Sequence, residues 1–153
     1  MNALELLKAD HQKVADLFEK AESAKPAEQH SLFEKINTEL EIHAHIEETI
    51  FYPKLREEGN EELQDIVKEG IEEHHQVKIF LRELSALTED SEKFEPKFTV
   101  LKEDVEHHVK EEEDEMFPLV KAQFDASVLE KLGSEMEAEK VAFGRTLSAS
   151  AGK

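Results

Sequence analysis

Two histidine–glutamate pairs with the spacing His-x-x-x-Glu give this sequence its clearest chemical signal. They are HAHIE, from His43 to Glu47, and HVKEE, from His108 to Glu112. Residues four apart lie on one face of an α-helix, so each pair presents an imidazole and a carboxylate side by side. Both groups are good ligands for divalent first-row metals. The pairs therefore indicate metal binding wherever their shared face is turned toward the protein interior.

The apolar residues around each pair indicate that this face is turned inward. Taken alone, such a pair is usually a solvated ion pair worth roughly a few tenths of a kcal/mol. Here, each histidine has an apolar residue ten, seven and three positions before it and another eight positions after it. Every member of the second set follows its counterpart at the same offset along the chain. The flanking residues are Phe33, Ile36, Leu40 and Phe51 around His43, and Phe98, Leu101, Val105 and Met116 around His108.

Two further histidines each fill one position of an apolar helical stripe. The offset between them is nearly the same as the offset between the two His-x-x-x-Glu pairs. Their apolar neighbours are Leu7, Val14 and Phe18 around His11, and Ile71, Val77 and Leu81 around His74. The two halves of the chain therefore resemble each other, since each has a helix with one inward histidine followed by a helix with His-x-x-x-Glu.

Six polar side chains that converge in an apolar interior require a partner. An unpaired buried carboxylate costs several kcal/mol, and a bound cation would satisfy carboxylates and imidazoles together. Two carboxylates that can bridge, with four imidazoles, suit two metal ions better than one. A nitrogen and oxygen site without thiolate favours iron, with manganese and zinc as alternatives. The candidate ligands are His11, His43, Glu47, His74, His108 and Glu112.

The other histidines and the single tyrosine are predicted to lie off the inward faces. At about 100° per residue, Tyr52 lies about half a turn from His43. His75 stays open as an alternative to His74, because the register of that helix rests on one residue. Gly70, one turn before His74, either leaves room for a small ligand or marks a close helix contact. We expect solvated or supporting roles for the remaining histidines, which are His30, His45, His75 and His107.

The apolar spacing predicts four long helices and no strand. Asn2 and Glu5 form a capping-box pattern that opens the first helix. Lys25-Pro26 ends that helix and begins the second, and Gly59-Asn60 ends the second. A turn at residues 88–91 separates the third helix from the fourth. The predicted fold is all-α, an up-down-up-down four-helix bundle with short loops. Pro53 is predicted to kink or end its helix beyond the site.

The C-terminal part is predicted to be a small addition to this bundle. After Asp125, a shorter fifth helix with Leu129, Leu132 and Met136 is expected to pack across the bundle, and the tail at 147–153 is expected to fray. Residues 1–123 would form the bundle, and residues 124–153 would pack on the same domain.

Composition excludes several classes of function. The chain has 153 residues, enough for one domain, and no cysteine, so disulfides, thiolate zinc sites and cysteine nucleophiles are excluded. The net charge of −18 argues against nucleic acids and anionic membranes as partners and fits a monomer. The N-terminus has no basic segment followed by an apolar run, so we expect a cytoplasmic protein.

Four ordered motifs resemble those of the hemerythrin-like, HHE cation-binding family. They are DHQKV at 10–14, HAHIEETIFYP at 43–53, EHHQV at 73–77 and HVKEEEDEMFP at 108–118. The resemblance implies a four-helix bundle with a non-haem di-iron centre. Residue by residue, it implies the same six ligands, with Glu47 and Glu112 bridging the irons beside an oxo or hydroxo group.

The sequence departs from the oxygen carriers of that family at one ligand position. Those proteins have a second histidine four residues after the one at position 74, and this chain has Lys78 there. The chain thus resembles the bacterial stand-alone members, whose proposed roles include peroxide breakdown, nitric oxide handling and iron storage or repair. We expect a di-iron protein that binds or reduces oxygen, hydrogen peroxide or nitric oxide, and any enzymatic activity would be catalase- or peroxidase-like.

Two other functions remain open from the sequence. One is an oxygen or iron sensor, or an iron-storage protein, that binds metal without turnover. The other is a helical bundle whose histidines are satisfied by hydrogen bonds without metal. No catalytic residues beyond the metal ligands are predicted.

Overall fold

The computed structural model describes residues 1–151, and within this range it contains helices, turns and short loops but no strand. The all-α prediction is therefore confirmed. Two π-helical segments join pairs of α-helices into continuous rods. The elements are α1 (Ala3–Glu22), α2 (Pro26–Ile46), π1 (Glu47–Phe51), α3 (Tyr52–Glu58), α4 (Glu61–Ser85), α5 (Phe94–Glu111), π2 (Glu112–Met116), α6 (Phe117–Gln123) and α7 (Ala126–Ala151).

Local side-chain chemistry explains where the helices begin and end. The capping box at the start of α1 is present: Asn2 Oδ1 accepts from the Glu5 N–H at 2.9 Å, and Glu5 Oε1 accepts from the Asn2 N–H at 3.1 Å. Pro26 begins α2, where its missing N–H leaves no hydrogen bond unmade. Asn60 caps α4 by accepting from the Leu63 N–H at 3.0 Å.

Prolines account for the two π-helical segments. The N–H of Tyr52 donates to the carbonyl of Glu47, five residues earlier, and Pro53 follows directly. Proline has no N–H, and its ring crowds the carbonyl four residues before it, so a wider turn accommodates it within a continuing helix. Of the two predictions for Pro53, an end of the helix is wrong, because α3 runs on to Glu58, and a kink stays a prediction. The same geometry recurs in the second half of the chain at Phe117.

The core has two apolar clusters that lie on opposite sides of a polar layer. The first cluster includes residues near the start of α1, from π1 to α3, and from π2 to α7. The second cluster includes residues from the other ends of α1, α2, α4 and α5. Representative members are Leu4, Leu7, Phe51 and Phe117 in the first cluster, and Phe18, Phe33, Leu84 and Phe98 in the second.

The C-terminal helix is not short. It has 26 residues, compared with 20 in α1, and it packs against α1 and α2. A Cβ at Gly133 would collide with the backbone of Met1 and Asn2, so a glycine permits the close approach of α7 to the N-terminus. The sequence prediction followed the apolar residues, which become sparse after Met136, whereas polar contacts hold the second part of α7. The backbone is helical as far as Ala151, fraying of the tail stays a prediction, and Gly152 and Lys153 lie outside the described residues.

No helix among the described residues combines the length and the apolar character that crossing a membrane requires.

Candidate metal centre

The structure brings all six candidate ligands together in the polar layer between the two clusters. Each of these residues is at most 8 % exposed. The helix registers explain this, because each side chain lies on the same stripe as apolar residues of its own helix. The set consists of His11 on α1, His43 on α2, Glu47 on π1, His74 on α4, His108 on α5 and Glu112 on π2.

The Nε2 atoms of the four histidines lie close to the two glutamates. Glu47 Oε1 is 3.2 Å from His43 Nε2 and 3.0 Å from His74 Nε2. Glu112 Oε1 is 3.0 Å from His11 Nε2, and its Oε2 is 3.1 Å from His108 Nε2. Each glutamate therefore contacts one histidine from the first half of the chain and one from the second.

The ligand atoms fall into two groups that share one carboxylate. Within each group, every ligand atom lies within 4.8 Å of the others. Glu112 belongs to both groups, and this shared position is the one that a bridging carboxylate occupies between two ions. The groups are His11 with His43 and Glu112, and Glu47 with His74, His108 and Glu112.

Three buried polar atoms in this layer have no hydrogen-bond partner: His43 Nε2, Glu47 Oε1 and Glu47 Oε2. The contact of 3.2 Å between His43 Nε2 and Glu47 Oε1 lacks hydrogen-bonding geometry. Both oxygens of Glu47, a residue with no exposed surface, are thus unsatisfied, which is costly without a compensating charge. These atoms, together with an all-nitrogen-and-oxygen donor set, fit a divalent cation at this position.

A carboxylate holds the outer nitrogen of every candidate histidine. When Nδ1–H donates to a carboxylate, the Nε2 lone pair is left free for a metal, and the ring orientation is fixed. These four carboxylates are not among the residues predicted from the sequence. Their Nδ1-to-oxygen distances are 2.6 Å for His11 to Glu113, 3.1 Å for His43 to Asp10, 3.1 Å for His74 to Glu48 and 2.7 Å for His108 to Glu73.

A signal for these carboxylates was present in the sequence. Asp10 and Glu73 directly precede the candidate histidines of α1 and α4, and Glu48 and Glu113 directly follow the two candidate glutamates. The two halves of the chain therefore repeat these carboxylates at the same positions relative to the ligands. Because they lie off the apolar stripe, they resemble solvated surface charges. Each one reaches across to a histidine on a neighbouring helix, and helix periodicity alone does not show such a contact.

The charged groups of the layer stabilise one another. Burial alone would lower the pKa of His43, but the carboxylates of Glu47 and Asp10 outweigh it and raise that pKa to about 10. Burial would raise the pKa of Glu47, yet the adjacent histidines, His43 first among them, hold it well below its usual value. The layer therefore keeps Glu47 ionised, which is the form that binds metal, and His43 protonated, so a metal ion at His43 Nε2 would displace a proton.

Tyr52 lies at the centre, so the prediction that placed it off the site is wrong. Its hydroxyl donates to Glu112 Oε2 at 2.6 Å, and the hydroxyl oxygen is 3.4 Å from His74 Nε2. The reason is the extra residue per turn in π1, which rotates the following helix relative to the α-helical register. Burial and the nearby Glu112 raise the pKa of Tyr52 well above its usual value.

Gly70 leaves room for that tyrosine. A Cβ at this position would lie 3.1 Å from the Tyr52 hydroxyl oxygen and 3.7 Å from His108 Cε1. The structure therefore shows that Gly70 permits a close contact, and the group that approaches it is the Tyr52 side chain.

The other histidines lie outside the centre. His74 is buried in the layer, whereas His75 is exposed. The His107 side chain is 66 % exposed. His45 stacks on Phe143 with ring centroids 3.8 Å apart, and His30 packs beside Phe94 in the second half of the core.

Lys78 does not enter the centre. Its Nζ donates to Glu48 Oε1 at 2.8 Å, and its side chain is 46 % exposed. The lysine thus points outward from the position where a seventh ligand would lie, and it contacts the carboxylate that holds His74.

A small cavity of about 40 Å³ opens directly on the four histidines. It lies between the polar layer and the second cluster, since apolar residues of that cluster form part of its wall. A water molecule needs roughly 10–15 Å³ measured in this way, so the cavity accommodates a molecule of a few heavy atoms. The apolar lining consists of Val14, Leu40, Ala44, Val77, Val105 and Val109.

Comparison with known proteins identifies the family. Residues 2–120 match the model of the hemerythrin HHE cation-binding domain. The chain belongs to this family. Within it, the chain is 30 % identical over 141 residues to Rv2633c of Mycobacterium tuberculosis, a match that covers 90 % of this chain and 84 % of that protein. The family name describes a cation-binding domain, and the buried histidine and glutamate groups could hold such an ion.

A crystal structure and a longer relative extend the comparison. The HHE domain-containing Rv2633c homolog from Mycobacterium kansasii superposes with a TM-score of 0.83 at 29 % identity, covering 95 % of this chain and 89 % of that one. A DNA nickase from Nostoc sp. is 28 % identical over 145 residues, which is 92 % of this chain. The chain spans only 39 % of the length of that nickase.

Proposed function

We propose that the chain is a non-haem di-iron protein that binds or reduces a small oxidant, namely oxygen, hydrogen peroxide or nitric oxide. The observation that carries the proposal is the pair of buried ligand groups that share Glu112 and face a cavity of about 40 Å³. The unsatisfied oxygens of Glu47 and the nitrogen-and-oxygen donor set support metal occupancy. A site with this composition favours iron over metals that prefer thiolate.

The proposed assignment gives each ion two histidines and lets the glutamates link the ions. His11 and His43 belong to one ion, and His74 and His108 belong to the other, in keeping with the two groups of ligand atoms. Bound iron would supply the electron-transfer chemistry that side chains of this kind lack. Glu47 and Glu112 would hold the ions at a fixed separation.

Side chains around the layer control protons and access. The Tyr52 hydroxyl holds a proton at Glu112 Oε2, 2.6 Å away, where both residues are buried. The four outer carboxylates fix the imidazole rings, so the Nε2 lone pairs stay aligned toward the ions. On the other side, the small cavity with its valine-rich wall excludes bulky molecules, which supports a substrate of two heavy atoms.

Several further assignments are part of this proposal. We propose that α1, α2–α3, α4 and α5–α6 form an up-down-up-down four-helix bundle spanning residues 1–123, with residues 124–153 packed on the same domain. A monomer is proposed from the net charge, and the cytoplasmic location stays a prediction from the sequence. The activity of the longer Nostoc nickase is not carried over, because a net charge of −18 opposes contact with a nucleic acid.

Metal analysis combined with peroxide consumption tests the proposal. We expect about two iron ions per chain, ferric charge-transfer bands in the near-ultraviolet and visible, and consumption of hydrogen peroxide by the iron-loaded protein. His74→Ala should reduce iron content and peroxide consumption, while His75→Ala, the matched control on the adjacent exposed residue, should leave both unchanged. Iron-loaded protein that neither consumes peroxide nor changes its spectrum with oxygen or nitric oxide would refute the oxidant role.

A sensor or storage protein is the second candidate function, and the unsatisfied Glu47 carboxylate favours it. Since metal binding would satisfy this group, folding and metal occupancy are coupled. That candidate predicts a large gain in thermal stability on iron loading without turnover of peroxide. Turnover by the loaded protein, or equal melting temperatures with and without iron, would exclude it.

A further inference from the structure

Two of the carboxylates that hold the histidines are themselves paired with lysines. Asp10, which is 5 % exposed, uses its Oδ2 to accept from His43 Nδ1 at 3.1 Å. Its other oxygen accepts a hydrogen bond from Lys140 Nζ of α7. The Lys140 side chain is 27 % exposed, so much of its length is buried against α1 and α2. The result is a continuous chain of contacts from lysine through carboxylate to a candidate metal ligand.

Glu48 has the same arrangement as Asp10, but its lysine lies on α4 instead of α7. Glu48 Oε2 accepts from His74 Nδ1 at 3.1 Å, while Glu48 Oε1 accepts from Lys78 Nζ at 2.8 Å. His43 and His74 belong to different ligand groups. Each proposed ion would therefore have one histidine that is backed by a lysine-neutralised carboxylate.

The other two carboxylates lack this feature. Among the described residues, Glu73 forms its ion pairs with His108 and His107, and Glu113 forms its ion pair with His11. No lysine contacts either of them within that range. The lysines thus mark one histidine per ligand group and distinguish it from its neighbour.

We propose that Lys140 and Lys78 are positioning residues that act through Asp10 and Glu48 to raise the reduction potential of the metal centre. This inference rests on the proposed di-iron function and deepens it. Neither lysine contacts a candidate ligand. Each one acts through the carboxylate that lies between it and the histidine.

Two physical effects of each lysine have the same sign. A carboxylate that also binds an ammonium group attracts the Nδ1 proton of histidine less strongly, so the imidazole donates less electron density to a metal. The positive charge itself favours the less positive, reduced metal ion. Loss of either lysine should therefore stabilise the oxidised state and lower the potential.

The proposed role of the lysines explains two features of the chain that the six candidate ligands alone do not explain. Lys78 stands at the sequence position where the oxygen carriers have a further histidine, and Lys140 lies in α7, beyond the residues 2–120 that match the family domain. Both features would thus act on the metal centre electrostatically, without adding a ligand.

The test is the midpoint reduction potential of iron-loaded full-length variants, with iron content measured on each sample. Lys140→Met and Lys78→Met should each lower the potential by about 59 mV, the one-electron equivalent of a tenfold change in equilibrium constant. Lys140→Arg and Lys78→Arg should restore most of it, because they keep the charge. Lys131→Met on α7 and Lys68→Met on α4 are exposed controls with the same change in net charge, and they should leave the potential unchanged.

The outcomes separate this inference from the function on which it rests. If the unmodified protein binds iron and has a measurable potential, but both Met variants match the controls, the inference alone is overturned. Equal shifts in the Met and Arg variants would also overturn it, since they would indicate a role in packing. An unmodified protein that retains no iron would overturn the proposed function as well. Lys78 is 46 % exposed, so Lys78→Met decides the question even if Lys140→Met fails to fold.

Discussion

The first half of the molecule, α1 to α3, and the second half, α4 to α6, have the same polar layer but different surroundings. All six candidate ligands and all four outer carboxylates correspond in pairs, because one constant offset relates α1 to α4 and another relates α2 to α5 and π1 to π2. The pairs are His11 with His74, His43 with His108, Glu47 with Glu112, Asp10 with Glu73 and Glu48 with Glu113.

One difference with a chemical consequence lies one residue beyond each π-segment. Tyr52 in the first half corresponds to Phe117 in the second. Both rings lie beside a histidine of the opposite half: Tyr52 stacks on His74 with centroids 5.3 Å apart, and Phe117 stacks on His11 at 6.1 Å. Only the tyrosine brings a hydroxyl into the layer. The two halves of the candidate metal centre are thus inequivalent, although all six candidate ligands correspond in pairs.

The helix packing differs between the halves as well. α7 lies against α1 and α2, so the first half is covered by an additional helix. This difference suggests that the two halves depend to different extents on the metal layer for their stability.

The largest expected effect comes from the one carboxylate that both ligand groups share. Glu112→Gln should reduce iron content to less than roughly half of the wild-type value, because each group loses a charged ligand. Iron analysis after desalting measures this. Glu115→Gln, an exposed change in the same π-segment, is the control and should retain full iron content. Wild-type iron content in Glu112→Gln would mean that the shared carboxylate is not a ligand.

Metal removal should have the next largest effect, and the effect should be unequal between the halves. Without a cation, both buried oxygens of Glu47 lack a hydrogen-bond partner, and each such buried group typically costs about 1–3 kcal/mol. For a chain of this size, the two together correspond to a loss of about 10 °C in melting temperature. Hydrogen exchange should increase more in α4 and α5 than in α1 and α2, which α7 covers.

Chelator-treated and iron-loaded samples, compared by calorimetry and by hydrogen-exchange mass spectrometry, provide both measurements. A uniform increase in exchange across all four helices would show that α7 does not stabilise the first half selectively. An unchanged melting temperature would argue against metal occupancy itself.

Periodicity made the candidate ligands predictable but not the side chains that contact them. His11, His43, His74 and His108 each replace an apolar residue in a regular stripe, so simple spacing identifies them. Tyr52 was placed wrongly, because a π-turn before Pro53 changes the register, and the spacing rules assume a constant rotation of about 100° per residue.

The length of α7 was missed for a related reason. Its first part is apolar and visible in the pattern, whereas its second part is held by polar and aromatic contacts to α1 and α2. Lys140 pairs with Asp10, and His45 of α2 stacks on Phe143 and pairs with Glu139 at 2.9 Å. Contacts between distant parts of the chain leave no periodic signature.

Exchanging Tyr52 and Phe117 tests whether the tyrosine makes the two halves of the candidate metal centre inequivalent. Tyr52→Phe removes a buried hydrogen bond to a charged group and should cost about 2 kcal/mol of the free energy of unfolding. It should also change the visible spectrum of the iron-loaded protein, since the hydroxyl lies 2.6 Å from Glu112 Oε2. Chemical denaturation and absorption spectroscopy measure the two effects.

Phe117→Tyr is the reciprocal variant. Phe117 is 2 % exposed, so this variant places a second hydroxyl in a buried position. The residue that corresponds to Gly70 in the first half of the chain is Leu7, so a leucine stands where Tyr52 has a glycine. We therefore expect destabilisation and no restoration of the spectrum when it is combined with Tyr52→Phe. Recovery of the wild-type spectrum in the double variant would show that the two halves of the candidate metal centre are equivalent.

The smallest expected effect concerns Gly70, whose counterpart in the first half of the chain is Leu7. Alanine in a helix interior is favoured over glycine by about 1 kcal/mol, but here its Cβ would lie 3.1 Å from the Tyr52 hydroxyl oxygen. Gly70→Ala should therefore gain little or lose slightly in the wild type and should stabilise the Tyr52→Phe variant, in which that oxygen is absent. A double-mutant cycle should give a coupling of about 1 kcal/mol between the two positions. Additive effects would mean that the glycine is not there to accommodate the tyrosine, and that the second half tolerates a side chain at this position as the first half does.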